Sequence, residues 1–539
     1  MRMMTLNKFS EFIWKLRFAD DDNETYQDRA KIIAEECEKV IYEKAGIKLN
    51  GLLDWALREE KLFPAGRIIN FFSKTRNTGF PYNCAGLVVE DDLDHIMQTA
   101  HEVAVLQKLG AGVGLNLSKL RPKGSKLKSG LGVASGPASF VQLYASIANI
   151  IQQGGGRRGG IIPHLKWDHP DIWDFINIKG LSSKLWYLKL KLRAKKDKRI
   201  MDDIIRNDIM KMVNMSVVFD REEDVTVENL QPFIEKALET GEPGLLFFHR
   251  QENWSLGVEP AEVVNLCGEV IGEAPLLCNL ASINLKNISS LYELKDVTVA
   301  GVYLLTAVNY IMDIALRSPQ EYRYPRASMI LRKYPFLWNI LEIQLELNRI
   351  GLGIMGYADW CIKNNESYEY AVTSLMRTIL LTASQTSYEL AKATGRYFDV
   401  SKSTFVRTHQ LPTKLHHSRL LSIAPTGTIS ILGKCAPSWE PYPPFSQPKF
   451  VNVNGELQEI FLLDIPRDLT IEHVDPETRL KVQNSLQYYV DGSVANTLNL
   501  PESYGMAYYI AKMLTELKYI KGLTVFATEY TSNCEECKV

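Results

Sequence analysis

A five-residue segment near the middle of the chain brings together three side chains that can do chemistry. It reads Asn265-Leu266-Cys267-Gly268-Glu269. In an extended segment alternate side chains point to one face, so the amide of Asn265, the thiol of Cys267 and the carboxylate of Glu269 are expected to share a small volume. A carboxylate beside a thiol can take a proton from a substrate hydroxyl. Considered alone, the segment is better described as a buried cysteine in a turn flanked by solvated polar groups.

Two other cysteines lie in apolar segments that are typical of strands. Cys278 lies in the alternating segment Leu277–Leu285, and Cys84 follows a loop and begins the apolar segment Cys84–Val89. Residues at strand ends beside loops often form sites in α/β folds, which makes Cys84 a candidate site residue. Considered alone, each cysteine is better described as a small hydrophobic core residue.

A small, hydroxyl-rich turn, Ala424–Ser430 (APTGTIS), follows the apolar segment Leu420–Ile423. Such a turn can open a helix, and its exposed N–H groups and hydroxyls would then bind phosphate. A plain helix N-cap is the alternative interpretation. The segment matches neither the P-loop pattern nor the dinucleotide-binding glycine pattern.

The last residues of the chain contain Cys534 and Cys537, which are spaced as CxxC. Half a zinc site would need two more ligands. The sequence has no second CxxC pair, and the histidine pairs with chelating spacing lie hundreds of residues away. A mobile redox dithiol that exchanges with another disulfide therefore fits better than zinc.

The pattern of apolar residues predicts the elements that would hold these side chains. Apolar positions at helical spacing predict a helical region over residues 1–60, and residues 300–400 are mostly helical in pattern. Between these regions, glycine-rich turns separate short apolar runs from helical stretches, which predicts an α/β architecture with largely parallel strands. The predicted strands include Cys84–Val89, Gly110–Leu117, Met215–Phe219 and Gly522–Phe526, and the predicted helices include His95–Leu109 and Phe140–Gln152.

Composition and charge argue against several classes of protein. The 539 residues are 46% hydrophobic and 23% charged, with a net charge of −1. This is ordinary for a globular protein and does not predict binding to nucleic acid or to a membrane surface. We interpret the basic run Lys189–Arg199 as a solvated face or loop. Because we recognise no long apolar run and no signal peptide, we expect a cytoplasmic protein without a transmembrane helix.

In this order, the motifs resemble those of the ribonucleotide reductase catalytic subunit. The resemblance runs from about Phe63 to the C-terminus and covers most of the chain. A single motif of this length is weak evidence, whereas a series in register is specific. The motifs are Phe63–Arg67, Tyr82–Cys84, Gly110–Leu117, Gln153–Gly159, Asp168–Asp171, Asn265–Glu269, Cys278–Leu285, Gly351–Gly356, Ala424–Ser430, Asp491–Val494 and the CxxC tail.

The resemblance implies a ten-stranded α/β barrel made of two halves, each of parallel strands, that run antiparallel to one another. A finger loop in its centre would carry Cys267. The implied domains are an N-terminal helical region over residues 1–75, the barrel over residues 76–525 and a mobile C-terminal redox tail over residues 526–539. The region between Asp171 and Asn214 would hold the loops that read a nucleotide effector, although it is longer and more basic than the family pattern.

The resemblance also implies a role for each cysteine of the site. Cys267 would become a thiyl radical that takes hydrogen from the ribose C3′, while Glu269 accepts the 3′-hydroxyl proton and Asn265 hydrogen-bonds the sugar. Cys84 and Cys278 would supply the reducing equivalents and end as a disulfide. The tail cysteines Cys534 and Cys537 would reduce that disulfide and be recycled by a thioredoxin-like partner. The residues implied for binding the ribonucleotide substrate are Asn83, Gly114, Pro425, Thr426, Gly427, Thr428 and Ser430.

Further partners and regulation follow from the same resemblance. We expect a homodimer whose interface uses the helices His95–Leu109 and Phe140–Gln152 and binds a deoxynucleotide or ATP as allosteric effector. The N-terminal region is too short for a full ATP-cone domain, so we do not expect regulation of overall activity by dATP.

The radical source distinguishes the classes of this family. The oxygen-dependent class relays its radical through two adjacent tyrosines near the C-terminal strand, where this chain reads Lys521–Phe526 (KGLTVF). Tyr488 and Tyr489 are adjacent but precede a different motif, and no glycyl-radical motif is visible. The segments APTGTIS, SVANTLNLP and GLTVF resemble the cobalamin-dependent class, so adenosylcobalamin is the implied cofactor, and no metal site is predicted.

Two alternatives remain at this stage. The chain is a catalytic subunit that needs a separate metal-containing, radical-generating subunit, or it is a non-enzymatic nucleotide-binding relative. The presence of all five assigned cysteines and Glu269 argues against the second alternative.

Overall fold

A computed structural model describes residues 2–127, 130–151, 160–178, 209–321, 323–442, 449–453, 456–462, 470, 474–500 and 506–527. Four predicted features lie outside these residues in whole or in large part. They are the motif Gln153–Gly159, the basic run Lys189–Arg199, most of the region expected to read the effector, and the tail with Cys534 and Cys537.

The N-terminal region is helical, as predicted. Its helices pack apolar side chains into the same hydrophobic core as the rest of the chain. Arg29 is fully buried and forms ion pairs with Asp20 and Glu24, which holds the turn between the first two helices. The helices are α1 (Leu6–Arg17), α2 (Tyr26–Ala45), α3 (Leu52–Arg58) and α4 (Gly66–Phe71).

Five parallel strands follow, with helices between them. Each strand lies next to its sequence neighbour, as short right-handed crossovers favour. The strands are β3 (Cys84–Val88), β4 (Gly112–Asn116), β5 (Ile161–Lys166), β6 (Ser216–Phe219) and β7 (Gly244–Phe247). The intervening helices are α5 (Leu93–Leu109), α6 (Pro137–Ile150), α7 (Ile172–Asn177) and α8 (Val227–Thr240).

A second set of parallel strands comes from the later part of the chain. Strand β11 (Leu280–Asn284) pairs with β12 (Gly351–Met355), and β17 (Thr497–Leu500) pairs with β18 (Gly522–Ala527). Isolated parallel bridges, Leu352 with Leu421 and Ile423 with Val494, connect these two pairs. The described residues therefore contain two sets of parallel strands, as predicted.

The two sets meet in antiparallel pairs at both ends. Strand β7 pairs with β18, and β3 pairs with β10 (Leu276–Leu277), which runs directly into β11. The regular ladders form an eight-stranded sheet and a three-stranded sheet rather than one closed ladder, because single bridges make the remaining connections. The α/β architecture with two opposed halves is confirmed.

The remaining strands and helices lie outside these two sets. Strand β2 (Leu62–Pro64) pairs with β11, so this pairing joins the predicted N-terminal region to the predicted barrel. The domain boundary at residue 75 stays a prediction. The other strands are β1 (Arg2–Met4), β13 (Phe398–Asp399), β14 (Lys414–Leu415), β15 (Lys449–Val453) and β16 (Glu456–Leu462). The other helices are α9 (Phe248–Asn253), α10 (Leu291–Arg317), α11 (Pro325–Lys333), α12 (Phe336–Leu347), α13 (Tyr357–Asn364), α14 (Ala371–Thr394), α15 (Thr404–His409), α16 (Ile429–Leu432), α17 (Pro476–Tyr489) and α18 (Met506–Glu516).

Helix α10 is long and apolar enough to cross a membrane by length and composition. The expectation that the chain has no transmembrane helix stays a prediction. In the described structure 83% of its most apolar stretch is buried. A helix surrounded by protein on most sides becomes apolar all round, which explains the composition.

A short hairpin, β8 (Val263–Val264) and β9 (Ile271–Gly272), projects between the two halves and is the predicted finger loop. Glycines on β3 and β4 make room for it. A Cβ atom at Gly114 would lie 1.7 Å from the Val264 carbonyl oxygen, and one at Gly112 would lie 2.2 Å from Leu266 Cδ2. Strand positions without side chains thus let the finger backbone approach the sheet.

Replacing Gly114 with alanine is therefore expected to displace the finger. Because the new methyl group would overlap a backbone oxygen that cannot rotate away, we expect Gly114→Ala to lower the free energy of unfolding by about 1–3 kcal/mol. Urea unfolding checks the value. Gly66→Ala is the control, since its Cβ would lie 3.4 Å from Phe18 Cε1, an ordinary contact in helix α4. Equal stability of both variants would contradict the described packing.

Candidate active site

The tip of the finger, Asn265–Glu269, is a turn and not an extended segment. Asn265 N donates to Val270 O at 3.0 Å, Gly268 N donates to Asn265 O at 3.1 Å, and Gly268 has a φ of 85°. The sequence left an extended segment and a turn as alternatives, and the structure shows the turn, with Cys267 exposed and Asn265 and Glu269 buried. Asn265 and Glu269 nevertheless meet, since the turn brings residues at i and i+4 together.

Asn265 holds the turn with both ends of its amide. Its Oδ1 accepts from Val270 N at 2.9 Å, and its Nδ2 donates to Glu269 Oε1 at 2.7 Å. Ser493 N donates to the Glu269 carbonyl oxygen at 3.0 Å, so the second set of strands also binds the tip. The sequence pattern alone did not identify Ser493 as a site residue, because its contact is made by the backbone.

The structure brings three of the predicted cysteines together. The Cys84 thiol interacts with the thiols of both Cys267 and Cys278, and Cys278 N donates to Cys84 O at 3.1 Å. Cys267 is exposed at the finger tip, whereas Cys84 and Cys278 are buried reduced thiols. Two buried thiols and one accessible thiol therefore share one cluster.

The electrostatics of the cluster keep its two buried thiols protonated. The hydrogen bond with Cys267 lowers the pKa of Cys84, but the contact with Cys278 and burial raise it, and the net pKa lies well above the usual range. Burial raises the pKa of Cys278, against a smaller lowering by Cys84. Burial also raises the pKa of Glu269 to about 7, although the bond from Asn265 lowers it. A carboxyl group with such a pKa exchanges a proton near neutrality.

One oxygen of Glu269 is positioned to receive a ligand. Its Oε2 is buried and has no hydrogen-bond partner among the described residues, while Oε1 is held by Asn265. The hydroxyls of Ser422 and Ser493 are also buried without a partner in that part of the chain. Buried polar atoms are usually satisfied, so the Glu269 oxygen without a partner points to a polar ligand.

The donor atoms of Cys84, Cys267 and Glu269 all lie within 4.8 Å of one another. Thiolate sulfur and carboxylate oxygen are zinc ligands, so this trio is close enough to hold a metal ion. The same spacing allows hydrogen and proton transfer among the three groups.

The predicted phosphate loop lies beside the cysteines. Ala424 packs against the apolar cluster that contains Cys84 and Cys278. Thr426 has a φ of 55°, and its Oγ1 accepts from Ser438 N at 2.6 Å. The loop opens helix α16, as predicted, although that helix has only four residues.

The structure also gives the contacts of other residues that were predicted to bind substrate. Arg17 Nη1 donates to Thr428 Oγ1 at 3.3 Å, which places a cation of α1 at this loop. Asn83 Oδ1 accepts from Arg67 N at 3.2 Å at the start of β3, and Gly114 lies beneath the finger. Contacts of Asn83, Gly114 and the loop Pro425–Ser430 with substrate stay predictions.

Strand β18 carries no tyrosine in its described residues, as the sequence indicates. Tyr488 and Tyr489 lie at the end of α17, with ring centroids 5.0 Å apart. Tyr488 packs with Trp254, whose Nε1 donates to Tyr488 O at 3.0 Å, and Tyr489 packs with His409. The tyrosine pair therefore belongs to a half-buried aromatic cluster beside the sheet and not to β18.

Comparisons with known proteins agree with this arrangement. A family model described as ribonucleotide reductase, barrel domain, matches residues 83–521. The chain is 27% identical over 497 residues to a protein of Thermoplasma acidophilum named vitamin B12-dependent ribonucleoside-diphosphate reductase, covering 82% of this chain and 60% of that protein. It is 29% identical over 501 residues to a protein of the same name from Mycobacterium tuberculosis, covering 83% and 68%. The chain thus spans about two thirds or less of these relatives.

A solved structure shows the same fold. The Actinobacillus ureae class Id ribonucleotide reductase alpha subunit superposes with a TM-score of 0.70, covers 97% of each chain and is 18% identical in sequence.

The raised pKa of Glu269 predicts a pH dependence of stability. Between pH 4.5 and about 7, the folded chain keeps a proton on Glu269 that the unfolded chain has lost. Unfolding then releases a proton, so stability falls as pH rises through this window, by about 3 kcal/mol in total. Glu269→Gln removes this loss. We expect the variant to gain stability relative to the unchanged chain between pH 4.5 and 8 in urea unfolding.

Glu239→Gln is the control, because Glu239 is exposed and pairs only with Lys236 on the surface of α8. Parallel pH profiles for Glu269→Gln and the unchanged chain would contradict a pKa near neutrality.

Proposed function

The chain belongs to the ribonucleotide reductase barrel-domain family, and we propose that it is the catalytic part of a ribonucleotide reductase. The proposed reaction converts ribonucleotides to deoxyribonucleotides by thiyl-radical chemistry. The observation that carries the proposal is the meeting of Cys84, Cys267, Cys278 and Glu269 in one volume. A family fold alone does not establish an activity, so the proposal rests on this site.

The finger residues perform the steps on the ribose. Cys267, as a thiyl radical, takes the hydrogen atom from C3′ and becomes a thiol. Glu269 takes the proton of the 3′-hydroxyl at Oε2, the oxygen without a partner, while Asn265 holds Oε1. A pKa of about 7 lets the same carboxyl group accept and return that proton.

The buried pair Cys84 and Cys278 supplies two hydrogen atoms. The 2′-hydroxyl leaves as water, two protons and two electrons pass from the thiols to the substrate, and the two sulfur atoms form a disulfide. Cys267 finally gives its hydrogen back to C3′, which restores the thiyl radical. Protonated thiols suit this task, because each then carries a hydrogen atom and not only a charge.

We propose adenosylcobalamin as the radical source. When bound, this cofactor supplies a carbon radical that can take a hydrogen atom from a thiol. The exposure of Cys267 fits this role, because it is the one thiol of the cluster that a bound cofactor can approach. The lack of tyrosine in the described part of β18 and the relatives' names support the same choice.

Substrate and partners are proposed from the relatives and from the surface. The relatives are named for ribonucleoside diphosphates, so we propose diphosphates, bound through the loop Pro425–Ser430. We propose a homodimer through α5 and α6, where Leu93, Met97 and Ile150 are exposed, with a nucleotide effector at the interface. A thioredoxin-like protein would recycle the tail cysteines.

The proposal is tested with the purified chain, a ribonucleoside diphosphate, a deoxynucleotide effector and a small dithiol. We expect deoxyribonucleotide to form when adenosylcobalamin is added and not without it. Cys267→Ala should reduce the rate by more than about 10³-fold, because removal of the radical-carrying thiol leaves no route to C3′. Cys361→Ala, at a buried cysteine of α13, is the control and should remain active.

If the chain makes product only when a metal-containing subunit is added, the two-subunit alternative replaces the proposal of adenosylcobalamin as the radical source. The arrangement of the three thiols is compatible with either radical source. No product under either condition would favour a non-enzymatic relative, and an active Cys267→Ala variant would exclude the mechanism.

The proposed role of the C-terminal cysteines predicts how turnover depends on the reductant. Because Cys534 and Cys537 would carry electrons from a protein to the buried pair, Cys534→Ser with Cys537→Ser should abolish turnover with thioredoxin. A small dithiol reaches the buried pair directly, so activity with it should remain. Steady-state rates with each reductant check this. Equal loss with both reductants would contradict a shuttle role for the tail.

A further inference from the structure

A buried polar network joins the base of the finger to the segment that carries Cys278. Its centre is Arg349, directly before β12, which is 1% exposed. Arg349 Nε donates to Glu259 Oε2 at 2.7 Å, Nη2 donates to Glu273 O at 2.9 Å, and Nη1 donates to Pro275 O at 3.3 Å. Glu259 precedes β8, whereas Glu273 and Pro275 follow β9 and lead into β10. One guanidinium therefore holds both ends of the finger.

Further contacts fix the carboxylate partner of this arginine. Ser418 Oγ donates to Glu259 Oε1 at 2.6 Å, and Arg419 Nη2 lies 3.7 Å from Glu259 Oε2. Both oxygens of the carboxylate are thus engaged. A buried ion pair of this kind stabilises only the geometry that satisfies its lone pairs, so it defines position more than it adds stability.

A second buried residue, Asn309 of α10, joins the same network to both reducing cysteines. Its Oδ1 accepts from Asn279 Nδ2 at 3.0 Å and from Tyr82 Oη at 3.4 Å. Asn279 directly follows one of the two cysteines, and Tyr82 precedes the other by two residues. The Nδ2 of Asn309 donates to Arg349 O at 3.2 Å, so the two centres are bonded to one another.

We propose that Arg349 and Asn309 are positioning residues that together set the distances among Cys267, Cys84 and Cys278. Arg349 places the finger thiol, and Asn309 places the two thiols of the reducing pair. The inference rests on the proposed function, because those distances matter when the three thiols exchange hydrogen and electrons. An error of about 1 Å at a reacting group reduces a rate by about 100-fold.

The effect of Arg349 is tested with Arg349→Lys. Lysine keeps the charge but has no planar fork that reaches Glu259 and two carbonyl oxygens together. We expect the rate of alkylation of Cys267 by iodoacetamide to change by about tenfold as the finger moves. The Cys84–Cys278 disulfide equilibrium should change little. Peptide mapping by mass spectrometry reports each cysteine.

The effect of Asn309 is tested with Asn309→Leu, which has a similar size and no hydrogen bonds. In a glutathione buffer, the Cys84 and Cys278 thiols pass two electrons and two protons to glutathione disulfide and form their own disulfide. We expect the equilibrium constant of this exchange to fall by about tenfold, since disulfide geometry is narrow. Alkylation of Cys267 should stay close to that of the unchanged chain.

Two matched variants control for the loss of a buried polar residue. Arg29→Lys changes a fully buried arginine that binds Asp20 and Glu24 in the N-terminal helices. Asn284→Leu changes a fully buried asparagine at the far end of β11, which donates to two backbone carbonyls. Both should lower thermal stability and leave the two thiol measurements unchanged.

If Arg349→Lys or Asn309→Leu does not fold, two smaller substitutions test the same proposal. Ser418→Ala and Tyr82→Phe each remove one hydroxyl of the network and should move the same measurements in the same direction, by about twofold. Folded variants that match their controls in both thiol measurements would overturn the proposal. Alkylation of Cys267 and the disulfide equilibrium can both be measured without turnover. If the unchanged chain makes no deoxyribonucleotide, the proposed function is refuted, but the two thiol measurements still test the positioning roles of Arg349 and Asn309.

Discussion

The whole site depends on one constraint, which is that a polar hairpin must be held between sheets that surround it. The finger carries backbone N–H and C=O groups and the Glu269 carboxyl group into the interior, where each unsatisfied polar group costs about 1–3 kcal/mol. Glycines of the first set of strands leave room for the finger backbone. The second set binds it, through Ser493 N at the tip and through Arg349 at the base. The two sets of strands therefore have different tasks.

Two buried glutamates show how the same residue type serves opposite purposes in this structure. Burial raises the pKa of both. For Glu259, Arg349 and Arg419 outweigh burial and lower the pKa, so the carboxylate stays charged and fixes the finger. For Glu269, the nearest partner is the neutral amide of Asn265, so burial prevails and the pKa rises to about 7. The group with two nearby cations holds structure, and the group without one can exchange protons.

The sequence was informative where a pattern is local and poor where the partners are distant. The predicted strands Cys84–Val89 and Gly522–Phe526 are observed as Cys84–Val88 and Gly522–Ala527, because apolar runs and glycines mark them, whereas β5 and β7 were not predicted. The conformation of the finger tip was left between an extended segment and a turn, since strands of two residues have no period to recognise. The pair Arg349–Glu259 spans 90 residues and has no motif, so only the folded chain shows it. The cysteine cluster was predicted by resemblance to a family, because spacing alone favoured separate core cysteines.

The surroundings of the three thiols also explain why two routes of access are needed. Cys267 is exposed, so the proposed radical source can reach it, while Cys84 and Cys278 are buried, which keeps a large partner such as a folded protein away from them. Burial keeps the reducing pair protonated and slow to react, because the thiolate is the reactive form. The same burial closes the pair to a folded protein reductant after each turnover. In the proposed reaction, a pair protected in this way would be reduced through a dithiol on a narrow chain segment, and the CxxC sequence of Cys534 and Cys537 has the required chemistry.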